Sequence, residues 1–223
     1  MNIHYSCVIF DMDGVIFDSE TVWLEAFREA NARFGAAFTE AERQTWCGRD
    51  EASIRRELRR THPELDTDAY RDFAVRRAES ILAERGAPLK DGFFALHAWL
   101  RAAGAAIGLA TSSRRERMRL QFEKAGLDPA ALFDAVVCGD EVAVSKPDPT
   151  IFLLAAKELA CPPSRCYVLE DSLNGIEAAH RGGFLPIFVK DLIEPDKRTK
   201  ENSVHLTDSL RGVLSFLQQE GSF

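Results

Sequence analysis

The stretch that decides the fold runs Tyr5-Ser6-Cys7-Val8-Ile9-Phe10-Asp11-Met12-Asp13-Gly14-Val15. Its first six residues are mostly apolar and β-forming, which predicts a buried strand. Asp11 and Asp13 then stand where that strand ends. In open α/β sheets, ligands bind at the carboxyl ends of the strands. Gly14 lets the chain turn sharply after the pair. Two carboxylates this close repel unless a cation or a shared proton relieves them. A hard cation such as Mg²⁺, which prefers oxygen ligands, answers that need. On these residues alone, an acidic turn after a strand is the other reading.

Composition narrows the classes. The chain has 223 residues, 46% hydrophobic and 28% charged, which suits a globular protein with a sizeable core. Net charge is −7, so no general basic surface offers itself to nucleic acid. An anionic substrate needs local positive charge instead. The five cysteines (Cys7, Cys47, Cys138, Cys161 and Cys166) are odd in number and lack C-x-x-C spacing, which reads as reduced thiols in a cytoplasmic protein. No apolar run reaches the roughly 18 residues of a membrane span, and no signal-peptide pattern opens the chain. No membrane partner is expected, and a monomer is expected.

After the first strand, Ser19 to Phe34 reads as a helix with Trp23, Phe27, Ala30 and Phe34 on one stripe. Thr39-x-x-Glu42 forms a capping box for a short helix stopping near Gly48. Helices are predicted from about Glu51 to Arg60 and from Asp66 to Arg85, the latter with Tyr70, Ala74, Ala78 and Ile81 on one side. Residues 19–87 thus hold helices and no convincing strand. They interrupt an alternating α/β pattern, as an inserted helical domain would. A helical layer packed on the same core is the alternative.

From Asp91 the alternation is plain. Strands are expected at Ala105–Ala110, Ala135–Cys138, Arg165–Leu169 and Leu185–Val189, with an edge strand near Val204–Leu206. Helices are expected at Phe93–Arg101, from the Ser113-x-x-Glu116 capping box to Ala125, from an Asp148 N-cap to Leu159, at Asn174–His180 and at Leu210–Gln219. The fold class is therefore α/β, a doubly wound and mostly parallel sheet. Asp11, Thr111 and Asp171 all fall at strand carboxyl ends.

Four motifs occur in order: Asp11-Met12-Asp13-Gly14-Val15, Thr111-Ser112-Ser113, Ser145-Lys146-Pro147-Asp148-Pro149, and Glu170-Asp171-Ser172-Leu173-Asn174-Gly175-Ile176-Glu177-Ala178-Ala179. The chain resembles the haloacid dehalogenase superfamily, and within it the branch of sugar-phosphate phosphatases and β-phosphoglucomutase-like enzymes. The resemblance covers nearly the whole chain. It implies a Rossmann-like core formed by residues 1–18 and 88–223, with a helical cap domain at residues 19–87.

The chemistry it implies is phosphoryl transfer through an aspartyl phosphate, in which a carboxylate splits one hard step into two. The resemblance gives Asp11 as nucleophile and Asp13 as the acid and base for leaving group and water. It implies Mg²⁺ held by Asp11, by the backbone carbonyl of Asp13 and by Asp171, with Glu170 helping directly or through water. A transferred phosphoryl group needs donors and cations around it. Thr111 offers a hydroxyl, Ser112 and Ser113 offer amides at a helix start, and Lys146 offers a point charge. Thr111 and Ser113 have a second reading as plain helix caps. Asp148 reads as an N-cap, and Asn174-Gly175 as shaping a helix start. In the cap, Gly48-Arg49 matches a loop that, in the mutase-like branch, reaches toward the distal end of the substrate. Arg49 is thus a candidate for a second phosphate or a carboxylate, or for a surface pair with Asp50 or Glu51. Arg76 and Arg77 lie on the long cap helix; they read as solvated charges, with one of them facing the site as the other reading.

Two departures bear on the activity. Mutase-like members often carry a histidine at the position of Trp23, tied to control of the general acid-base; a tryptophan cannot move protons, which favours a phosphatase over a phosphomutase. Asp13 is replaced in dehalogenases and phosphonate-cleaving members, so its presence counts against both. The expected partner is a small phosphorylated metabolite, a sugar or polyol phosphate. The alternatives are a β-phosphoglucomutase-like phosphomutase and a non-catalytic sensor of a phosphorylated metabolite.

Overall fold

The computed structural model describes residues 7–46 and 51–221. Gly48 and Arg49, singled out above, lie outside the described residues. Six strands form one sheet: β1 (Cys7–Phe10), β2 (Ala106–Thr111), β3 (Ala135–Cys138), β4 (Cys166–Glu170), β5 (Leu185–Val189) and β6 (His205–Thr207). Their order is β3-β2-β1-β4-β5-β6, and every pairing is parallel. The expected doubly wound α/β class is what the chain adopts.

β1 lies at the centre, and all four of its residues are buried. That explains its unbroken apolar run, since a parallel strand covered on both faces gains nothing from alternation. Val8 and Phe10 face a large apolar cluster, shared with Phe93, Leu96 and Leu100 of α5 (Phe93–Ala102) and Val213 and Leu217 of α11 (Leu210–Glu220). Cys7 and Ile9 face a second cluster, shared with Phe152 and Ala155 of α8 (Thr150–Glu158) and Ala178 of α9 (Leu173–Arg181). Period-two alternation of β1 therefore supplies both layers.

Residues 19–85 contain α1 (Ser19–Phe34), α2 (Glu40–Gln44), α3 (Glu51–Thr61) and α4 (Thr67–Arg85). Asp18 caps α1 by accepting from the Thr21 amide, and Gly35 ends it in the left-handed region. The Thr39–Glu42 capping box is present. Phe27, Ala30, Phe38, Trp46, Ile54, Leu58, Tyr70 and Ala74 gather into an apolar cluster of their own. Val22, Ala26, Ala78, Ile81 and Leu82, on α1 and α4, join the main core instead. The chain enters and leaves this helical region side by side. The Asp18 amide donates to Pro88 O at 2.8 Å, and the Lys90 amide to Ile16 O at 2.8 Å.

Several local expectations shift. The buried stripe of α1 runs through Val22, Ala26, Phe27 and Ala30; Trp23 and Phe34 are only half-buried. The Ser113 capping box does not form: α6 (Arg115–Lys124) starts at an Arg114 N-cap without a side-chain bond. The Ser113 hydroxyl has found a distant carboxylate instead. The N-cap of α8 is Pro149, and Asp148, one residue earlier, still accepts from the Thr150 amide at 2.9 Å. Ser172 caps α9, which therefore begins ahead of Asn174. Two short helices, α7 (Pro129–Leu132) and the polar α10 (Lys197–Asn202), are too short to show a helical period in the sequence. The described cysteines, Cys7, Cys138, Cys161 and Cys166, are free thiols. Among the described residues, no helix is long and apolar enough to cross a membrane.

Candidate active site

Sheet register sets the site. Phe10 pairs with Leu109 on β2 and with Leu169 on β4, so the next residues, Asp11, Ala110 and Glu170, stand side by side. The Asp11 amide donates to Leu169 O at 3.0 Å, fixing Asp11 at the sheet's carboxyl edge. Thr111 and Asp171 follow one residue further out. Here a cleft of about 1080 Å³ opens, lined by Asp11, Asp13, Thr111, Lys146, Glu170 and Asp171 among others. The expected site residues Ser112 and Ser113 border the same cleft.

Lys146 links three neighbouring strands. Its Nζ donates to Asp11 Oδ1 at 2.6 Å and to Glu170 Oε1 at 2.7 Å, with Ala110 O at 3.4 Å. Its side chain is only 7% exposed, and Nζ also lies 4.6 Å from the centre of the Phe152 ring. Burial opposes the ammonium charge, but the Asp11 and Glu170 carboxylates outweigh it and raise the lysine above its ordinary range. Lys146 is therefore a fixed cation.

The second oxygen of Glu170 accepts from the Ser172 amide at 2.7 Å and its hydroxyl at 2.9 Å. Both Glu170 oxygens are thus engaged, and the side chain anchors Lys146 and the turn into α9. The backbone of α9 comes so close that a Cβ on Gly175 would lie 1.8 Å from Glu170 Oε1. On the other side, Gly14 takes φ +80°, and a Cβ there would lie 2.2 Å from Asp171 Oδ2.

Negative charge exceeds positive at the sheet edge. Burial pushes the Asp11 carboxyl up to about 7; the Lys146 charge pulls the other way, and Glu170 and Asp13 add to the rise. Burial, then the charges of Glu170, Asp11 and Asp191, hold Asp171 well above the ordinary carboxylate range. The Asp171 carboxylate has no hydrogen-bond or ion-pair partner among the described residues. Asp191, just beyond β5, pairs with Lys90 and leaves Oδ2 buried and unpartnered. Clustered carboxylates at the sheet edge, with Asp171 uncompensated, fit a hard divalent cation, which takes oxygen ligands.

Asp13 is held by donors from the segment that follows β2. Ser113 Oγ donates to its Oδ2 at 2.9 Å, and Arg117 Nη2 to its Oδ1 at 3.1 Å. The Ser113 amide donates to Thr111 Oγ1 at 3.1 Å, so that amide is already engaged. Ser112 is exposed at the cleft, and Thr111 is buried beneath it.

The helices of residues 19–85 contribute Ser19, Glu20, Trp23 and Glu79 to the cleft. Trp23 is a wall of the site as well as a contact of the core. Glu20 accepts from Arg43 Nη1 at 2.9 Å. Arg77 pairs with Glu29 at 2.7 Å, and Arg76 approaches Asp72 at 4.0 Å, so neither faces the cleft. Sequence reasoning missed Arg117, Glu20 and Glu79.

The chain is similar to known proteins over most of its length. A haloacid dehalogenase-like hydrolase profile matches residues 5–183. The chain is 32% identical over 185 residues to a phosphorylated carbohydrates phosphatase from Thermotoga maritima, covering 81% of this chain and 83% of that protein. Its fold superposes on the crystal structure of CbbY from Rhodobacter sphaeroides in complex with phosphate, with a TM-score of 0.71 and 26% identity, covering 92% and 95% of the two chains. A haloacid dehalogenase family hydrolase from Deinococcus radiodurans, with bound phosphate and sodium, gives a TM-score of 0.85 at 23% identity and covers 99% and 98%; it supports the fold.

Proposed function

The chain belongs to the haloacid dehalogenase-like hydrolase family, and on that premise we propose that it is a Mg²⁺-dependent phosphatase acting on a small phosphorylated carbohydrate through an aspartyl phosphate on Asp11. The observation that carries this reading is the buried Asp11–Lys146–Glu170 constellation facing Asp13 across one cleft. The substrate class rests on the Thermotoga relative, whose name gives phosphorylated carbohydrates.

In the first step an Asp11 oxygen attacks phosphorus. The Asp11–phosphorus bond forms as the bond to the leaving oxygen breaks, and Asp13 gives its proton to that oxygen. In the second step the Asp13 carboxylate takes a proton from water as the water oxygen attacks phosphorus. The Asp11–phosphorus bond breaks, phosphate leaves, and both carboxyl groups return to their starting forms. Lys146 offsets the charge of Asp11 so that an anionic phosphate can approach. Thr111 and Ser112 supply donors at the phosphate end. Asp11, the Asp13 carbonyl and Asp171 would hold Mg²⁺, with Glu170 acting indirectly through Lys146 and the Ser172 turn. Bound there, Mg²⁺ would neutralise the carboxylate excess and the charge developing on the phosphoryl oxygens.

Residues 19–87 serve in this reading as a cap over the cleft. Glu20, Trp23 and Glu79 face the substrate from that side, and the paired crossings at Asp18–Pro88 and Ile16–Lys90 are its connections. Trp23, unable to move a proton, suits hydrolysis over mutase chemistry.

The test is phosphate release from a panel of phosphorylated sugars and polyols, with Mg²⁺ and with chelator, by wild type and Asp11→Asn. Release that needs Mg²⁺ and vanishes in the variant is expected. Isomerisation of a phosphosugar without net phosphate release would overturn the phosphatase in favour of the mutase.

A further inference from the structure

Asp13 is the proton carrier of the proposed reaction, and its carboxyl is not free to rotate. Each of its oxygens has a separate donor, Ser113 Oγ at 2.9 Å and Arg117 Nη2 at 3.1 Å. Both donors come from the segment that follows β2, while Asp13 sits in the turn after β1. A hydroxyl alone would hold one oxygen and leave the carboxyl plane loose. A guanidinium on the second oxygen fixes the plane.

Arg117 reaches Asp13 through Nη2 from a side chain that is 39% exposed overall. Arg117 also borders the cleft itself, next to the phosphate-end residues Ser112 and Ser113.

We propose that Arg117 is a positioning residue for Asp13: together with Ser113 it fixes the carboxyl in the orientation that delivers a proton to the leaving oxygen. The proposal rests on the phosphatase reading above and adds a residue to it. Its consequence is selective. Losing Arg117 should slow substrates whose leaving oxygen must be protonated, and spare those whose leaving group departs as a stable anion.

The experiment compares kcat/KM, which reports the steps through phosphorylation of Asp11, for an alkyl phosphate drawn from the panel and for p-nitrophenyl phosphate. The proteins are wild type, Arg117→Ala, Arg117→Lys, Asp13→Asn and the double variant Asp13→Asn with Arg117→Ala. Arg117→Ala is expected to lose at least about tenfold more on the alkyl phosphate than on the aryl phosphate. Arg117→Lys should recover part of that loss, and the double variant should be no slower than Asp13→Asn, because Arg117 acts through Asp13. Equal losses on both substrates, or additive losses in the double variant, would overturn the assignment. If Arg117→Ala fails to fold, Arg117→Lys and Ser113→Ala carry the same comparison. A wild type that releases phosphate from neither substrate would overturn the phosphatase reading itself, which is a different result from equal losses.

Discussion

Lys146 Nζ and Asp11 Oδ1 lie 2.6 Å apart although 135 residues separate them in sequence. The contact joins the end of β1 to the loop before α8, and Glu170 completes it from β4. A lysine in this place holds the two buried carboxylates together.

Removing that cation should be costly on two counts. Lys146→Ala leaves Asp11 and Glu170 buried without a counter-charge, which is expected to cost about 3–5 kcal/mol. Denaturant unfolding at pH 8 in chelator checks this. Phosphate release should fall by roughly 10²–10³ as well. A variant as stable and as active as wild type would contradict the role given to the contact.

The raised carboxyls give stability a pH dependence of definite sign. Asp11 is pushed up to about 7, and Asp171 is raised in the same direction. Between the ordinary carboxylate value near 4 and the raised one, the native state holds protons that the unfolded chain has released. Metal-free stability from these groups is therefore present at low pH and is lost as pH rises through about 7. A cation bound to the carboxylates competes with those protons, so the Tm gained on adding Mg²⁺ should grow from pH 5 to pH 8. A gain that shrinks over that range would show that these groups do not bind the ion.

Gly175 is required by its neighbour. Alanine is normally the better helix residue by about 1 kcal/mol, yet a Cβ at this position would lie 1.8 Å from Glu170 Oε1. Gly175→Ala should therefore destabilise by about 1–3 kcal/mol and reduce activity by displacing Glu170 from Lys146. Thermal unfolding and phosphate release on the same sample test the pairing of the two effects. Stabilisation with full activity would refute it.

Tyr70 offers a test of stability separate from chemistry. Its hydroxyl donates to Asn31 Oδ1 at 2.9 Å, and Asn31 Nδ2 donates to Phe38 O at 2.8 Å. Tyr70→Phe leaves the Asn31 oxygen without its donor and should cost about 1–2 kcal/mol. Turnover at a temperature where the variant is folded should match wild type. A change in turnover without a change in stability would mean that this cluster reports to the cleft.

Much of the site was legible because its residues sit where strands end. A buried run closing on Asp11, another on Thr111 and a third on Glu170–Asp171 give both topology and chemistry from one-dimensional pattern. What escaped notice depends on contacts across the fold. Ser113 satisfies the local capping rule, but Asp13, 100 residues away in sequence, competes for its hydroxyl and wins. Arg117, Glu20 and Glu79 lie on helices whose cleft-facing side is set by tertiary packing, and a charged residue on a helix carries no mark of which way it faces. The spacing of Trp23 points to the core; its side chain is both a core contact and a wall of the cleft.

Trapping the phosphorylated enzyme tests Asp11 as the nucleophile. Wild-type protein mixed with a turned-over phosphosugar and Mg²⁺, quenched in acid within one turnover, would be digested and examined by mass spectrometry. One added phosphoryl group is expected on the peptide containing Asp11, and none in Asp11→Asn. A phosphoryl group on another residue, or rapid turnover with no adduct at any quench time, would contradict Asp11 as the nucleophile.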